Sequence, residues 1–181
     1  MSETDPGRLE VRGTTVVVSG GSGGIGRAIA RRFAALGKQV VVLDRDLAGA
    51  RELQRDHPTL RAVRVDLADG ADTARAFEAL RAEGLAADVL VNCVGVSPKF
   101  DASGERLTFW TAGDDDWRTL FDVNVMSYVA CQRACVPGML ERGYGRIVNI
   151  GSYAARTGGF QGAAHYQTAK SAILGMTRAL A

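Results

Sequence analysis

Thr14-Thr15-Val16-Val17-Val18-Ser19-Gly20-Gly21-Ser22-Gly23-Gly24-Ile25-Gly26 passes from a β-branched run into a glycine-rich turn. Beyond it, Ile25, Ile29, Phe33 and Leu36 recur at helical spacing and give one apolar face. Strand, glycine turn and helix in that order make a cradle for a dinucleotide. Glycines let the chain turn sharply and approach a pyrophosphate, and the helix amino terminus offers free N–H groups to the phosphates.

Working outward, Gly37 ends the first helix, and Gln39-Val40-Val41-Val42-Leu43 predicts a second strand that delivers Asp44 at its carboxyl end. An acidic side chain about 20 residues beyond the glycines can accept hydrogen bonds from a ribose and repels a 2′-phosphate, which favours NAD(H) over NADP(H). Arg45 argues the other way, because a guanidinium there could hold that phosphate.

Strands are predicted at 14–19, 39–43, 62–65, 88–92 and 145–150, alternating with helices at 24–36, 47–56, 71–83, 115–140 and 164–181. This alternation predicts an α/β fold, a doubly wound parallel sheet of the Rossmann type, with a crevice at the carboxyl ends of its strands. The run Ile147-Val148-Asn149-Ile150 reads as a buried strand that presents Ser152 at such an end. Residues 1–12 are expected to be a flexible tail and 13–181 a single dinucleotide-binding domain.

Tyr166-Gln167-Thr168-Ala169-Lys170 places a phenol and an ammonium on one helix face, four residues apart. A free phenol titrates near ~10, so a neighbouring positive charge that favours phenolate makes an acid/base device near neutrality. A pair of this kind also occurs on ordinary solvated helix faces, and gains meaning from the company of Ser152 and the glycine turn.

Together these residues resemble the short-chain dehydrogenase/reductase family. Ser19-Gly20-x-x-x-Gly24-Ile25-Gly26 is similar to that family's Thr-Gly-x-x-x-Gly-Ile-Gly, with serine for threonine. Asp66, after Ala62-Val63-Arg64-Val65, matches the aspartate near the adenine ring. Asn92-Cys93-Val94-Gly95 resembles the Asn-Asn-Ala-Gly element with cysteine and valine substituted. Asn124 falls at the fourth catalytic position, and Ser152, Tyr166 and Lys170 complete the set, with one residue more than usual between serine and tyrosine.

The resemblance implies reversible hydride transfer between a nicotinamide cofactor and a secondary alcohol or ketone. By it, Tyr166 takes the hydroxyl proton, Ser152 hydrogen-bonds the same oxygen, Lys170 favours the phenolate and binds the nicotinamide ribose, and Asn124 holds a water linking Lys170 to solvent. Cofactor contacts are expected from Gly20, Ser22, Gly24, Ile25, Gly26, Asp44, Arg45, Asp66, Leu67, Asn92, Gly95, Tyr166 and Lys170. A 3-oxoacyl thioester reductase and a polyol or hydroxyacid dehydrogenase are both compatible. The family also continues past the Tyr-Lys helix, whereas this chain stops at Ala181 inside a predicted helix. A sheet lacking its last strands and a catalytically poor fragment are therefore expected. Homo-oligomers, dimers or tetramers, are expected through helices 115–140 and 164–181.

Two other classes stay open. One is a dinucleotide-binding or interaction module without turnover, which would bind cofactor and do nothing further. The other is the relatives that epimerise or dehydrate nucleotide sugars, disfavoured because Gly20-x-x-x-Gly24-x-Gly26 departs from their Gly-x-x-Gly-x-x-Gly. A net charge of +2 from 22 basic and 20 acidic residues, without a basic stripe, argues against nucleic acid. The polar amino terminus and the lack of any apolar run near ~18 residues argue against a membrane and for the cytoplasm.

Three cysteines without a Cys-x-x-Cys pair predict neither disulfides nor zinc, and Cys131 and Cys135 are expected to pack as small hydrophobes. Asp114-Asp115-Asp116 is read as a helix start rather than a metal site. His57 and His165 are read as bystanders. The long stretch 97–114 carries Phe100, Phe109 and Trp110; it either touches substrate or folds its aromatics onto the sheet edge.

Overall fold

The structure, a computed structural model, describes residues 11–157 and 163–181. Five parallel strands, β1 (Thr15–Ser19), β2 (Gln39–Asp44), β3 (Arg61–Arg64), β4 (Val89–Asn92) and β5 (Arg146–Asn149), lie in the order β3-β2-β1-β4-β5. The helices between them are α1 (Gly24–Ala35), α2 (Ala48–Asp56), α3 (Gly70–Ala82), α4 (Asp114–Phe121), α5 (Ser127–Glu141), α6 (Ala154–Thr157) and α7 (Ala164–Leu180). This is the predicted doubly wound α/β sheet.

Pleat alternation builds two cores from the central strands. Val16, Val18, Val40, Val42, Val89 and Val91 face one side and pack with Ala30 of α1 and Leu53 of α2. Val17, Val41, Leu43 and Leu90 face the other and pack with Phe77 and Leu80 of α3 and Cys131, Cys135 and Met139 of α5. The near-continuous Val/Leu runs of β1 and β2 follow, because a parallel strand covered on both faces has no polar side. The two helical cysteines are buried as expected.

The order reverses at β1, whose neighbours are β2 and β4. Chain leaving β1 and chain leaving β4 therefore diverge, and a crevice opens between them. At its floor Gly20 has φ +68°, and a Cβ there would stand 2.8 Å from the Val94 amide nitrogen, so glycine is required.

One local expectation needs correction. The helix expected at 115–140 is interrupted by a five-residue π turn, Asp122–Met126, with Asn124 inside it. Short π segments arise from local backbone bonding that hydrophobic period does not reveal. β5 pairs with β4 and is the edge strand among the described residues, with Val148 47% exposed, as expected of a sheet lacking its last strands. Between the predicted strand 145–150 and helix 164–181, residues 154–157 form α6. Most of the expected tail, 1–10, lies outside the described residues; Val11 packs against the core and its carbonyl accepts from Lys38 Nζ at 2.9 Å. No helix among the described residues is long and apolar enough to cross a membrane.

Candidate active site

At the carboxyl end of the sheet a cavity of about 560 Å³ is lined by the glycine turn (Gly20, Gly23 to Gly26), Asp44 and Arg45 after β2, Val65 to Ala68 after β3, Cys93 to Val96 after β4, Val123 and Ile150. Each segment follows a strand end except Val123, which the π turn brings in. α1 starts at Gly23 with no side-chain cap, so its first N–H groups are left for a ligand. A Cβ on Gly26 would collide with the Gly20 carbonyl oxygen, which is why the turn can close only on glycine.

Asp44 is half-buried; its carboxylate accepts the Ser22 N–H at 3.1 Å and the Asp46 N–H at 3.2 Å, tying the glycine turn to the end of β2. The Ser22 hydroxyl is enclosed and has no partner, and Ser22 does not line the cavity. Arg45 is exposed at the rim. Asp66 is exposed and accepts the Ala68 N–H at 3.0 Å, while Leu67 is 5% exposed.

Asn92, expected at the cofactor, is completely buried: its oxygen accepts from Ser19 Oγ at 3.2 Å and its amide nitrogen donates to Asn149 Oδ1 at 2.9 Å. The side chain is a strut between β1, β4 and β5, and Asn92 does not line the cavity.

Behind Gly95 and Ile150 of the cavity wall lies Lys170, 4% exposed, from the second turn of α7; Lys170, Tyr166, Ser152 and Asn124 do not themselves line the cavity. Its ammonium donates to the Ile150 carbonyl at 3.1 Å and to the Tyr128 hydroxyl at 3.5 Å, and stands 5.3 Å from the centre of the Tyr128 ring. A Cβ on Gly95 would lie 3.3 Å from Lys170 Nζ and 3.6 Å from Asn124 Oδ1, so Gly95 keeps the passage between ammonium and cavity open. Burial pushes the lysine below its ordinary value, weakly opposed by Cys93. Burial likewise pushes the Cys93 thiol up to about 11, against the pull of Lys170. A thiol held that high is an inert lining group.

Asn124 is completely buried and spends both ends of its amide on one residue, accepting the Val96 N–H at 2.8 Å and donating to the Val96 carbonyl at 2.9 Å. This pins the chain after β4 to the π turn. Ser152 Oγ accepts the Ala154 N–H at 3.2 Å, which leaves its hydroxyl proton to donate outward. Tyr166 is half-buried on α7, close enough to Tyr128 for their charges to interact. Among the described residues no hydrogen bond links Tyr166 to Ser152 or to Lys170; α6 and α7 are joined instead by Ser171 Oγ donating to the Ala155 carbonyl at 3.3 Å.

Sequence reasoning missed Tyr128 and Ile150, the partners of Lys170; only the spacing Asn124-x-x-x-Tyr128, one helical turn, hints that Tyr128 shares the face of Asn124. It also undervalued His165. That ring is wholly buried, packs 5.8 Å from Trp117, and has no hydrogen-bond partner at either nitrogen among the described residues. Trp117 in turn meets Phe109 at 5.8 Å, so one end of the long loop reaches the residue beside Tyr166. Phe109 and Trp110 remain 68% and 83% exposed, and do not fold onto the sheet edge. The Asp114 and Asp115 carboxylates pair with Arg118, and Asp116 caps α4 through the Gly113 N–H at 2.9 Å, as a helix start requires. No group of metal ligands occurs among the described residues.

A family profile described as short chain dehydrogenase matches residues 14–181. This chain belongs to the short-chain dehydrogenase family. A short-chain reductase protein, NovJ, of Streptomyces niveus is 37% identical over 93% of this chain and 62% of its own length. The 2-(R)-hydroxypropyl-CoM dehydrogenase of Xanthobacter autotrophicus is 35% identical over 91% of this chain and 66% of its own. The 3-oxoacyl-[acyl-carrier-protein] reductase of Escherichia coli is 30% identical over 96% and 68%. The chain thus spans about two thirds of the length of these dehydrogenase-family relatives. Among solved structures, serine dehydrogenase from Escherichia coli superposes with a TM-score of 0.81 at 30% identity, covering 92% of this chain and 74% of that one.

Proposed function

We propose that this chain is the cofactor-binding and catalytic part of an NAD(P)-dependent oxidoreductase that interconverts a secondary alcohol and a ketone. The observation that carries this reading is Lys170: a buried ammonium held against Gly95 and Ile150, two residues of the wall of the same cavity that the uncapped glycine-turn helix lines. A buried lysine that keeps hydrogen-bonding capacity toward a cavity is expensive as structure and useful as chemistry. The donor set suits a dinucleotide: backbone N–H groups for phosphates, Asp44 for a ribose, and Asp66 and Leu67 for an adenine edge.

When bound, the nicotinamide supplies the hydride acceptor or donor. Tyr166 moves the proton of the reacting oxygen, and Ser152 donates its free hydroxyl proton to that same oxygen. Lys170 supplies positive charge beside Tyr166 and binds a cofactor hydroxyl through the N–H groups not spent on Ile150 and Tyr128. Asn124 acts by fixing the loop that carries Gly95, since both its amide oxygen and its amide nitrogen bond Val96. Gly20, Gly24, Ile25, Gly26, Asp44, Arg45 and Gly95 complete the proposed cofactor contacts, and Ser22 contributes only backbone.

NAD(H) is proposed over NADP(H), since the half-buried Asp44 carboxylate would repel a 2′-phosphate. A relative named 2-dehydro-3-deoxy-L-rhamnonate dehydrogenase (NAD(+)), 30% identical, agrees with that preference. The substrate is a small alcohol or ketone. The residues 13–181 as one domain, a cytoplasmic place, and pairing of copies through 114–141 and 164–180 belong to the same proposal. The test measures NAD(H) and NADP(H) binding by fluorescence and turnover of secondary alcohols and 3-oxoacyl thioesters by nicotinamide absorbance. Micromolar binding with turnover that disappears in Tyr166→Phe supports it; binding without turnover in any extension of the chain selects the non-catalytic module.

A further inference from the structure

We infer that Tyr128 is the positioning residue of Lys170: its hydroxyl and ring hold the ammonium so that a donor is left aimed at the cavity. The inference rests on the proposed role of Lys170 and adds a residue to it. An ammonium has three N–H donors and no acceptor. Ile150 carbonyl takes one at 3.1 Å and the Tyr128 hydroxyl takes another at 3.5 Å, which leaves one. The Tyr128 hydroxyl itself donates to the same Ile150 carbonyl at 3.1 Å, closing a triangle of tyrosine, lysine and backbone. Beneath it the Tyr128 ring faces the ammonium at 5.3 Å, a favourable place for a cation.

Nothing in this triangle can shift cheaply. Tyr128 is completely buried on α5, Ile150 follows the last residue of β5, and Lys170 sits on α7, so three separate elements meet at one charge. Gly95, which lines the cavity, adjoins the ammonium: a Cβ there would lie 3.3 Å from it. Burial pushes the Tyr128 phenol well above its ordinary value, so this hydroxyl keeps its proton and acts as a fixed dipole. The titratable groups whose charge reaches it are Cys93 beyond β4, Cys131 on α5 and Tyr166 on α7; for Lys170 it is Cys93. Both thiols are pushed up by burial, to about 11 and about 12, and stay uncharged over the working range.

Tyr128→Phe keeps the ring and removes one acceptor of the ammonium. The Lys170 side chain, carbon-13 labelled at Cε, is titrated by magnetic resonance in the 181-residue chain, and NAD(H) affinity is measured beside it. A hydrogen bond to a charged group contributes enough for a change of about tenfold, so the Lys170 titration should move down by up to about one pH unit. NAD(H) binding should weaken several-fold, and kcat, where the chain turns over, should fall about tenfold with a smaller change in KM. A 3,5-difluorotyrosine at position 128, which keeps the fold and weakens the acceptor, should shift Lys170 in the same direction by less. An unmoved Lys170 titration in both proteins overturns the inference and makes Tyr128 packing alone. The lysine readout does not need turnover: a shifted Lys170 in a chain that never oxidises an alcohol keeps the inference while removing the proposed reaction.

Discussion

The two ends of the cavity are built from opposite materials. At the glycine turn the groups offered to a ligand are backbone N–H donors within one stretch, 20–26, and an acidic side chain 18 residues later. At the Lys170 end they are side chains from α5 and α7 and a carbonyl beyond β5, drawn together from 128, 150 and 170. Backbone is indifferent to most substitutions but intolerant of a Cβ at Gly20, Gly21 or Gly26; a side-chain triangle tolerates crowding better and chemistry worse. The first end should therefore fail by steric change and the second by isosteric change.

The largest expected effect belongs to the second end. Tyr166→Phe changes one atom and should leave the fold and cofactor affinity intact while removing most turnover, at least the ~10²–10⁴-fold typical of general acid/base assistance. Parallel measurement of kcat and NAD(H) affinity checks it. Wild-type turnover would put the chemistry elsewhere and leave the far end a structural cluster.

The difference between the ends also explains what was readable beforehand. The alternation of strands and helices, the parallel doubly wound sheet and the glycine cradle follow from period and composition, because the β-branched runs and glycines state local geometry directly. Lys170 was legible as a residue but its surroundings were not. Tyr128 and Ile150 reach it only through long-range packing, and the π turn that carries Asn124 leaves no hydrophobic signature. Asn92 shows the converse: a motif position whose side chain is engaged inside the sheet, with Ser19 and Asn149, a use that the motif does not announce.

Gly26→Ala tests the steric end. Its Cβ would meet the Gly20 carbonyl, so either the turn opens or α1 shifts, at a cost of about 1–3 kcal/mol as for an overpacked core. Urea unfolding should show this loss together with weakened NAD(H) binding; unchanged values for both would mean that the turn is looser than its geometry. A smaller effect is expected at Asp44. Removing its charge in Asp44→Ala should narrow the gap between NAD(H) and NADP(H) by about fivefold, the scale of one partly screened charge contact at roughly 1 kcal/mol. If the unaltered chain already prefers NADP(H), Arg45 governs the site.

The last effect concerns His165, which sits on α7 beside Tyr166, packs against Trp117 and does not line the cavity. Burial holds its imidazole below the ordinary value of 6.5, with Asp116 opposing, and neither nitrogen has a partner among the described residues. The folded protein therefore keeps this ring neutral where the unfolded chain would protonate it. The sign follows: the contribution to stability is complete above about 6.5 and declines as pH falls below it, because only the unfolded state then takes up the proton. The slope cannot exceed ~1.4 kcal/mol per pH unit for one proton. His165→Phe keeps an aromatic ring against Trp117 and removes the titration, so the unfolding midpoint between pH 7 and pH 5 should lose about that much of its dependence relative to the unaltered chain. Equal pH dependence in both proteins would show that the ring gains a proton, or a bound water, without leaving its place beside Tyr166.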